Sequence, residues 1–468
     1  MNEVKKIVIV GGGITGLTAA YYLQKAIKEQ HLPYEVKLVE ASNRLGGKIK
    51  TTKRDGFTIE RGPDSFLSRK KPGVKLVEEL GISDQLVRNG TGQSYILVKN
   101  KLHKMPGGSF MGIPMEMRPF LFSKITSLKG KIRTGFDFII PRGKNGHDQT
   151  LGGFFRRRFG NELVENQLEP LLSGIYSGDL DEMSLMATFP NFYELEQKYG
   201  SLIKGLRKTT PKKKASTGKK PGAFFSFENG LETLVKELER QLEIGTVSKH
   251  VAVDHVEKKE HGYHLLLSNG DVYKADAIVM TTPHHTLPKV FSQYDFFRTF
   301  EQVPSTSVAN VAMAFDQSAI KKAVDGTGFV ISRTSNYRIT ACTWTHRKWP
   351  STTPKGKVLL RCYVGKPDDQ EVVDLSDEEI TAIVLKDLNK TMKIKAKPEF
   401  SVITRWKNAM PQYTVGHNER ILEVRDQASR KLPGVFIAGS SYEGVGIPDC
   451  IEQGEKAVAE VLEFLSEK

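Results

Sequence analysis

The chain has 468 residues, of which 39% are hydrophobic and 26% charged, a length that suggests about two or three domains and a composition ordinary for a globular enzyme. No run approaches the roughly 20 apolar residues that span a bilayer, so a cytoplasmic protein is expected. Three scattered cysteines, Cys342, Cys362 and Cys450, suggest neither a disulfide framework nor a metal site. A formal net charge of +15 favours acidic partners in general, whether nucleic acid, an anionic membrane surface or a polycarboxylate.

In chain order, Ile7 to Val10 read as a buried strand entering a glycine turn. Ile14, Leu17, Ala20, Tyr21 and Ile27 then recur at helical spacing, and Val36 to Val39 predict a second strand ending at Glu40. Between Leu102 and Gly200, Pro and Gly punctuate stretches rich in Phe, Met and Leu: Phe110 to Ile113, Pro119 to Phe122 and Phe136 to Ile140. This reads as a mostly helical insertion whose apolar residues are expected in a core. Lys208 to Gly222 is basic and lacks large apolar groups, which predicts a loop. Leu231, Leu234, Val235, Leu238 and Leu242 mark another helix, and Asp276 to Met280 another strand. Four β-rich runs follow, Val308–Phe315, Gly328–Ser332, Ile339–Trp344 and Val358–Val364, and predict a meandering, largely antiparallel sheet. Val435 to Ala438, a glycine turn and a helix starting near Pro448 repeat the opening pattern. The fold class is therefore α/β within an α+β multi-domain chain, with both ends in one Rossmann-like nucleotide-binding domain.

Gly11-x-Gly13-x-x-Gly16 lies between that strand and helix, and Glu40 ends the next strand. In this context the glycines have separate tasks: Gly11 allows the tight turn, Gly13 the approach of a pyrophosphate, and Gly16 close helix packing. Gly12, Ile14 and Thr15 complete the loop, and Glu40 would accept from ribose hydroxyls. Arg44-Leu45-Gly46-Gly47-Lys48 adds a glycine doublet with flanking cations, read as further contact to the pyrophosphate; it resembles the second motif of the flavin amine oxidase superfamily. Ala438-Gly439-Ser440 and Glu443 to Asp449 close a strand and open the last helix, whose N-terminus suits the negative charge of a reduced flavin. These features point to FAD.

Glu60 to Phe66, Glu169 to Tyr176, Thr306 to Asn310 and Gly444 to Cys450 extend the likeness over essentially the whole chain. They resemble the oxygen-dependent coproporphyrinogen/protoporphyrinogen oxidases of bacteria, in particular the soluble Gram-positive type. The resemblance implies an FAD domain (1–68, 223–290 and 404–468), a mixed-sheet substrate domain (69–106 and 291–403) and a helical domain (107–222) able to touch a membrane. It implies oxidation of a porphyrinogen in heme biosynthesis by hydride transfer to FAD, with O2 reoxidising the flavin to give H2O2. Such flavin-centred chemistry needs no catalytic side chain. Flavin contacts carried over by the resemblance are Gly11 to Gly16, Glu40, Ala41, Lys48, Gly62, Pro63, Asp64, Ser65, Val253, Trp406, Val445, Gly446 and Ile447. Arg69, Lys70 and Lys71 suit propionate carboxylates, and Ile175, Phe329 and Tyr363 are ring-packing candidates by resemblance. Coproporphyrinogen III, with four propionates, fits a basic chain better than protoporphyrinogen IX, the alternative substrate. The implied partners are the porphyrinogen, O2, the inner face of the cell membrane and a downstream heme-pathway enzyme that takes the product. No nucleic-acid partner is expected, since the Lys-rich stretch lacks interleaved aromatics. A flavin amine oxidase or carotenoid desaturase shares the glycine motifs, but a cationic pocket would repel ammonium substrates.

Overall fold

A computed structural model describes residues 4–143, 146–210, 222–320 and 325–467. The opening apolar run becomes the strand Lys5–Val10, central in a five-stranded sheet. Its order is Val247–Lys249, Tyr34–Glu40, Lys5–Val10, Ala277–Met280, Val435–Ile437. All four pairings are parallel, so every connection is a crossover, and distant parts of the chain end at one sheet edge. A parallel sheet is covered on both faces. Here Ile7, Ile9, Val36 and Leu38 pack under the helices Ile14–Gln30, Glu232–Gln241 and Ile447–Ser466. Val8, Val10, Val39, Ile278 and Met280 rest on a small antiparallel sheet through Val256, Leu265 and Leu267.

The predicted meander is the middle of a seven-stranded sheet. Its order is Phe400–Pro411, Ser305–Asp316, Lys357–Val364, Ile339–Trp344, Gly328–Ile331, Tyr95–Val98, Lys101–Lys104. Pairing is antiparallel throughout except between Gly328–Ile331 and Tyr95–Val98. The boundary expected at residue 404 falls inside Phe400–Pro411, which pairs along Ser305–Asp316. Alternation gives the sheet two unlike faces. Phe329, Cys342, Cys362 and Val311 lie side by side in the core that the helix Asp377–Met392 covers. One residue along, Val330, Ala341, Tyr363, Asn310 and Thr404 form a row on the opposite face.

From Met117 to Thr209 the chain is mostly helical, around Phe154, Phe155, Phe159, Phe192 and Leu202. Fully buried Arg158 is neutralised there by Asp137 at 2.7 Å and Glu196 at 3.2 Å, as a buried cation requires. The expectation that this region's apolar residues enter a core holds for Ile113 and Phe120 but fails for Leu121, Phe122, Leu128, Ile132, Phe136 and Ile139, which are exposed. Leu128, Ile132 and Phe136 recur at every fourth position, so they share one outward face. Within the basic stretch, the helix Leu202–Thr209 takes in Lys208 and Thr209, while residues 211–221 lie outside the described residues. Cys342, Cys362 and Cys450 are free and buried.

Candidate functional site

The glycine loop sits at the carboxyl end of Lys5–Val10. Gly11 has φ +108°, a conformation side chains disfavour, and a Cβ at Gly16 would collide with the Gly11 carbonyl oxygen. Gly13 is the opposite case: its missing side chain leaves open space, the concavity a pyrophosphate needs. Thr281, absent from the sequence expectations, holds the loop by donating to Gly11 O at 2.8 Å and Val10 O at 3.0 Å. Glu40 accepts from Gly12 N at 2.7 Å and Ser42 N at 2.8 Å, so it shapes the loop while keeping lone pairs for hydroxyl donors. Ile14 and Thr15 are buried in the first helical turn, and Ala41 is exposed.

The second glycine motif lies against the first, with Gly46 N donating to Gly12 O at 2.7 Å. Arg44 departs from its expected cofactor contact. Its guanidinium turns inward, donating to the carbonyls of Leu45 and Ile49 at 2.9 Å each and to that of Gly47, and so staples its own loop. Lys48 is the cation left over. Burial pushes its ammonium down from the usual lysine range, and it donates to Ser440 Oγ at 3.4 Å. Lys48 follows Gly47, which abuts Gly13, and a part-buried cation there is matched by an anionic group.

Residues 60–65 cross the polar face of the seven-stranded sheet. Three consecutive carbonyls are each held by a different strand: Asn310 donates to Glu60 O at 3.1 Å, Trp406 Nε1 to Arg61 O at 2.9 Å, and Arg361 to Gly62 O at 2.7 Å. A Cβ at Gly62 would strike the carbonyl of Lys48, so this turn and the second glycine loop are in contact. Asp64 points inward to Lys348 and Arg361. Burial raises its carboxyl, but the two cations outweigh that and hold it well below the carboxylate range. Pro63 and Ser65 flank it, half-buried. Nothing local in the sequence marks Lys348 or Arg361, and the Thr306 to Asn310 motif marks Asn310 without its contact, because these roles exist only once the sheet pairs.

The C-terminal loop closes the cradle. Gln453 accepts from Gly439 N at 2.9 Å and donates to Glu443 O at 2.6 Å. Buried Tyr413 donates to Ser440 O at 2.8 Å and accepts from Gly444 N at 2.9 Å, with His417 stacked on its ring. Val445 and Gly446 are half-buried, and Ile447 starts the last helix with its side chain in the core. Gly454 of that helix lies against Thr15 and Thr18, so both helices flank the glycine loop. Val253 sends its side chain into the core, two residues beyond Val251, whose N donates to Glu40 O at 3.1 Å.

The six substrate candidates separate. Arg69 and Lys71 are exposed beside the Gly62–Ser65 turn, Arg69 over the Phe110 ring at 5.4 Å. Lys70 is already paired with Asp449. Ile175 is exposed on the helix Glu169–Tyr176, on the flank beside buried Leu172 and Tyr176, where that helix crosses Gly328–Ile331. Tyr363 lies on the polar face, 5.6 Å from the Arg361 guanidinium. Phe329 is corrected: its ring is 3% exposed in the core on the other face, packed against Trp344, and Val330 stands in the row of Tyr363 instead.

An open glycine concavity, a part-buried lysine without an ion-pair partner among the described residues, and helix N-termini on either side fit a dinucleotide pyrophosphate. The comparisons with known proteins agree. The model of the flavin-containing amine oxidoreductase family matches residues 14–462. The chain is 52% identical to the coproporphyrinogen III oxidase of Bacillus subtilis (strain 168), over 99% of this chain and 100% of that protein. It is 44% identical to the coproporphyrinogen III oxidase of Staphylococcus aureus (strain NCTC 8325 / PS 47), over 98% and 99%. A crystal structure of a protein from Exiguobacterium sp. 255-15 superposes with a TM-score of 0.88 at 38% identity, covering 98% of this chain and 99% of that one. The chain belongs to the flavin-containing amine oxidoreductase family, and FAD is its cofactor.

Proposed function

We propose that this chain is an FAD-dependent oxidase converting coproporphyrinogen III to coproporphyrin III, with O2 as electron acceptor and H2O2 as product. The end-to-end match to two coproporphyrinogen III oxidases carries this reading. Bound FAD supplies hydride acceptance and reoxidation by O2; the chain supplies position and field. Gly11 to Gly16, Glu40, Ala41 and Lys48 hold the ADP half, with Val253 on the adenine side. Gly62 to Ser65, Trp406 and Val445 to Ile447 border the ring. The nucleotide-binding body thus holds the cofactor, and the polar face of the seven-stranded sheet, with Tyr363 and Ile175, borders the substrate. Arg69 and Lys71 bind propionates, and Lys70 joins them to the extent that it leaves Asp449.

Peripheral membrane contact at the inner face of the cell membrane is the second part of this reading. It is supported by the exposed apolar residues Leu121, Phe122, Leu128, Ile132, Phe136 and Ile139, which exposed Arg118, Lys124 and Lys129 accompany in the chain. Among the described residues no helix is long and apolar enough to cross a membrane.

The deciding assay gives the purified flavoprotein coproporphyrinogen III and protoporphyrinogen IX in parallel and follows porphyrin fluorescence and H2O2. The expected result is a higher kcat/KM for coproporphyrinogen III. It should fall by about tenfold or more in Lys71→Ala, since a charged hydrogen bond is worth about 1.5–3 kcal/mol. A preference for protoporphyrinogen IX would move the chain to that substrate and leave the FAD chemistry standing.

A further inference from the structure

Behind the Gly62–Ser65 turn lie two cations and one ionised carboxylate. Arg361 is fully buried; its Nη2 donates to Gly62 O at 2.7 Å and its Nη1 lies 3.1 Å from Asp64 Oδ2. Lys348, with its side chain 15% exposed, donates to the two Asp64 oxygens at 2.9 and 3.0 Å. Ser65 Oγ at 2.7 Å and Trp349 Nε1 at 3.3 Å complete the surroundings of Asp64. Glu60, the next carboxylate, is pushed by burial toward the neutral form, up to about 7. With Glu60 only partly ionised at neutral pH, two cations face less than two full negative charges, so the group carries excess positive charge in a place where screening is weak. Bracing alone does not require this. Neutral donors could serve both Gly62 O and Asp64, and an unbalanced buried cation is costly.

We infer that Lys348, Arg361 and Asp64 form a positioning unit that presents the Gly62–Ser65 turn and, through its net positive charge, raises the reduction potential of the bound flavin. The inference rests on the reading that the flavin lies against this turn. Reduction adds negative charge to the ring, so a fixed positive field favours the reduced form. Removing a cation and removing the carboxylate then act in opposite directions.

The test is the two-electron midpoint potential of the purified flavoprotein, measured by dye equilibration, with the visible flavin spectrum reporting occupancy. Lys348→Met should shift the reduction equilibrium about tenfold toward oxidised flavin, about 30 mV for a two-electron couple; Asp64→Asn should shift it the other way. Lys348→Met leaves Asp64 its contacts to Arg361, Ser65 and Trp349, so the fold is retained. Potentials that move in one direction in both variants, or do not move, would overturn the inference. If Asp64→Asn does not accumulate, Lys348→Arg decides. Return to the wild-type potential supports the field effect, and a potential as low as that of Lys348→Met overturns it. Gly62→Ala separates the two layers, because its Cβ must displace the turn from Lys48. FAD affinity of that folded variant should fall at least tenfold. Wild-type affinity would remove the reading that the flavin lies there, and the inference with it. Weakened affinity with unmoved potentials in the charge variants would remove the inference alone.

Discussion

Glu60 and Asp64 lie in one short segment yet titrate in opposite directions. Asp64 faces two cations, which overcome its burial; Glu60 is buried among neutral donors, accepting from Leu231 N at 2.6 Å and Thr51 Oγ1 at 2.9 Å, and burial raises it to about 7. A carboxyl raised in the folded state contributes stability that is present below its unfolded value and lost as pH rises through its folded value. The Glu60→Gln variant lacks that loss. Its thermal stability relative to wild type should therefore rise between about pH 5 and pH 8, by roughly 1 to 3 kcal/mol. A pH-independent difference would sink the assignment. Asp64 contributes oppositely, its stability being lost only in strong acid. Such residue-level behaviour was partly legible: the Glu60 to Phe66 motif marked the segment. The partners of Asp64 were not, since Lys348 and Arg361 are remote in the chain. Tyr363 and Phe329 show the same limit. Each sits in a correctly predicted strand, but the face each takes depends on lateral register with Ala341 and Cys342.

At the scale of elements, local chemistry often suffices. The helix Asp377–Met392 opens with a capping box, in which Ser376 and Glu379 satisfy each other's backbone N–H groups, and three acidic residues occupy its first turn. This helix covers the apolar face of the seven-stranded sheet through Ile380, Val384 and Leu388, away from the candidate site. Ser376→Ala should thus lower stability by about 1 kcal/mol, read as a lower thermal midpoint, with kcat/KM unchanged. Loss of activity would mean that the helix also shapes the polar face. The strand–glycine–helix start and the meander were readable because period and punctuation are local signals. The inner boundary at residue 404 was not, because a strand's membership is set by its hydrogen-bonding partner. The π-helical turn Val164–Leu168 likewise left no mark in the apolar spacing.

At the scale of the molecule, the helical region leaves several large apolar side chains exposed. Phe122 is 80% and Ile139 76% exposed, and burying each such side chain fully is worth about 1.5–3 kcal/mol. If these side chains dock on lipid, the protein should cosediment with vesicles containing anionic phospholipid and less with purely zwitterionic ones. The Phe122→Ser/Ile139→Ser variant should lose at least tenfold in partitioning with turnover of soluble substrate unchanged. Equal sedimentation of wild type and variant would rule out these side chains as the contact.

The sequence by itself determined the nucleotide-binding start, the flavin class and the succession of strands and helices. Glycine geometry, apolar period and capping act over a few residues and leave local traces. Only the tertiary structure decided that Arg44 staples its own loop, that Lys70 is paired with Asp449, and that Phe329 faces a core. It alone gathered Asn310, Arg361 and Trp406 onto three successive carbonyls. Those contacts depend on crossovers and strand register, which bring together residues hundreds of positions apart.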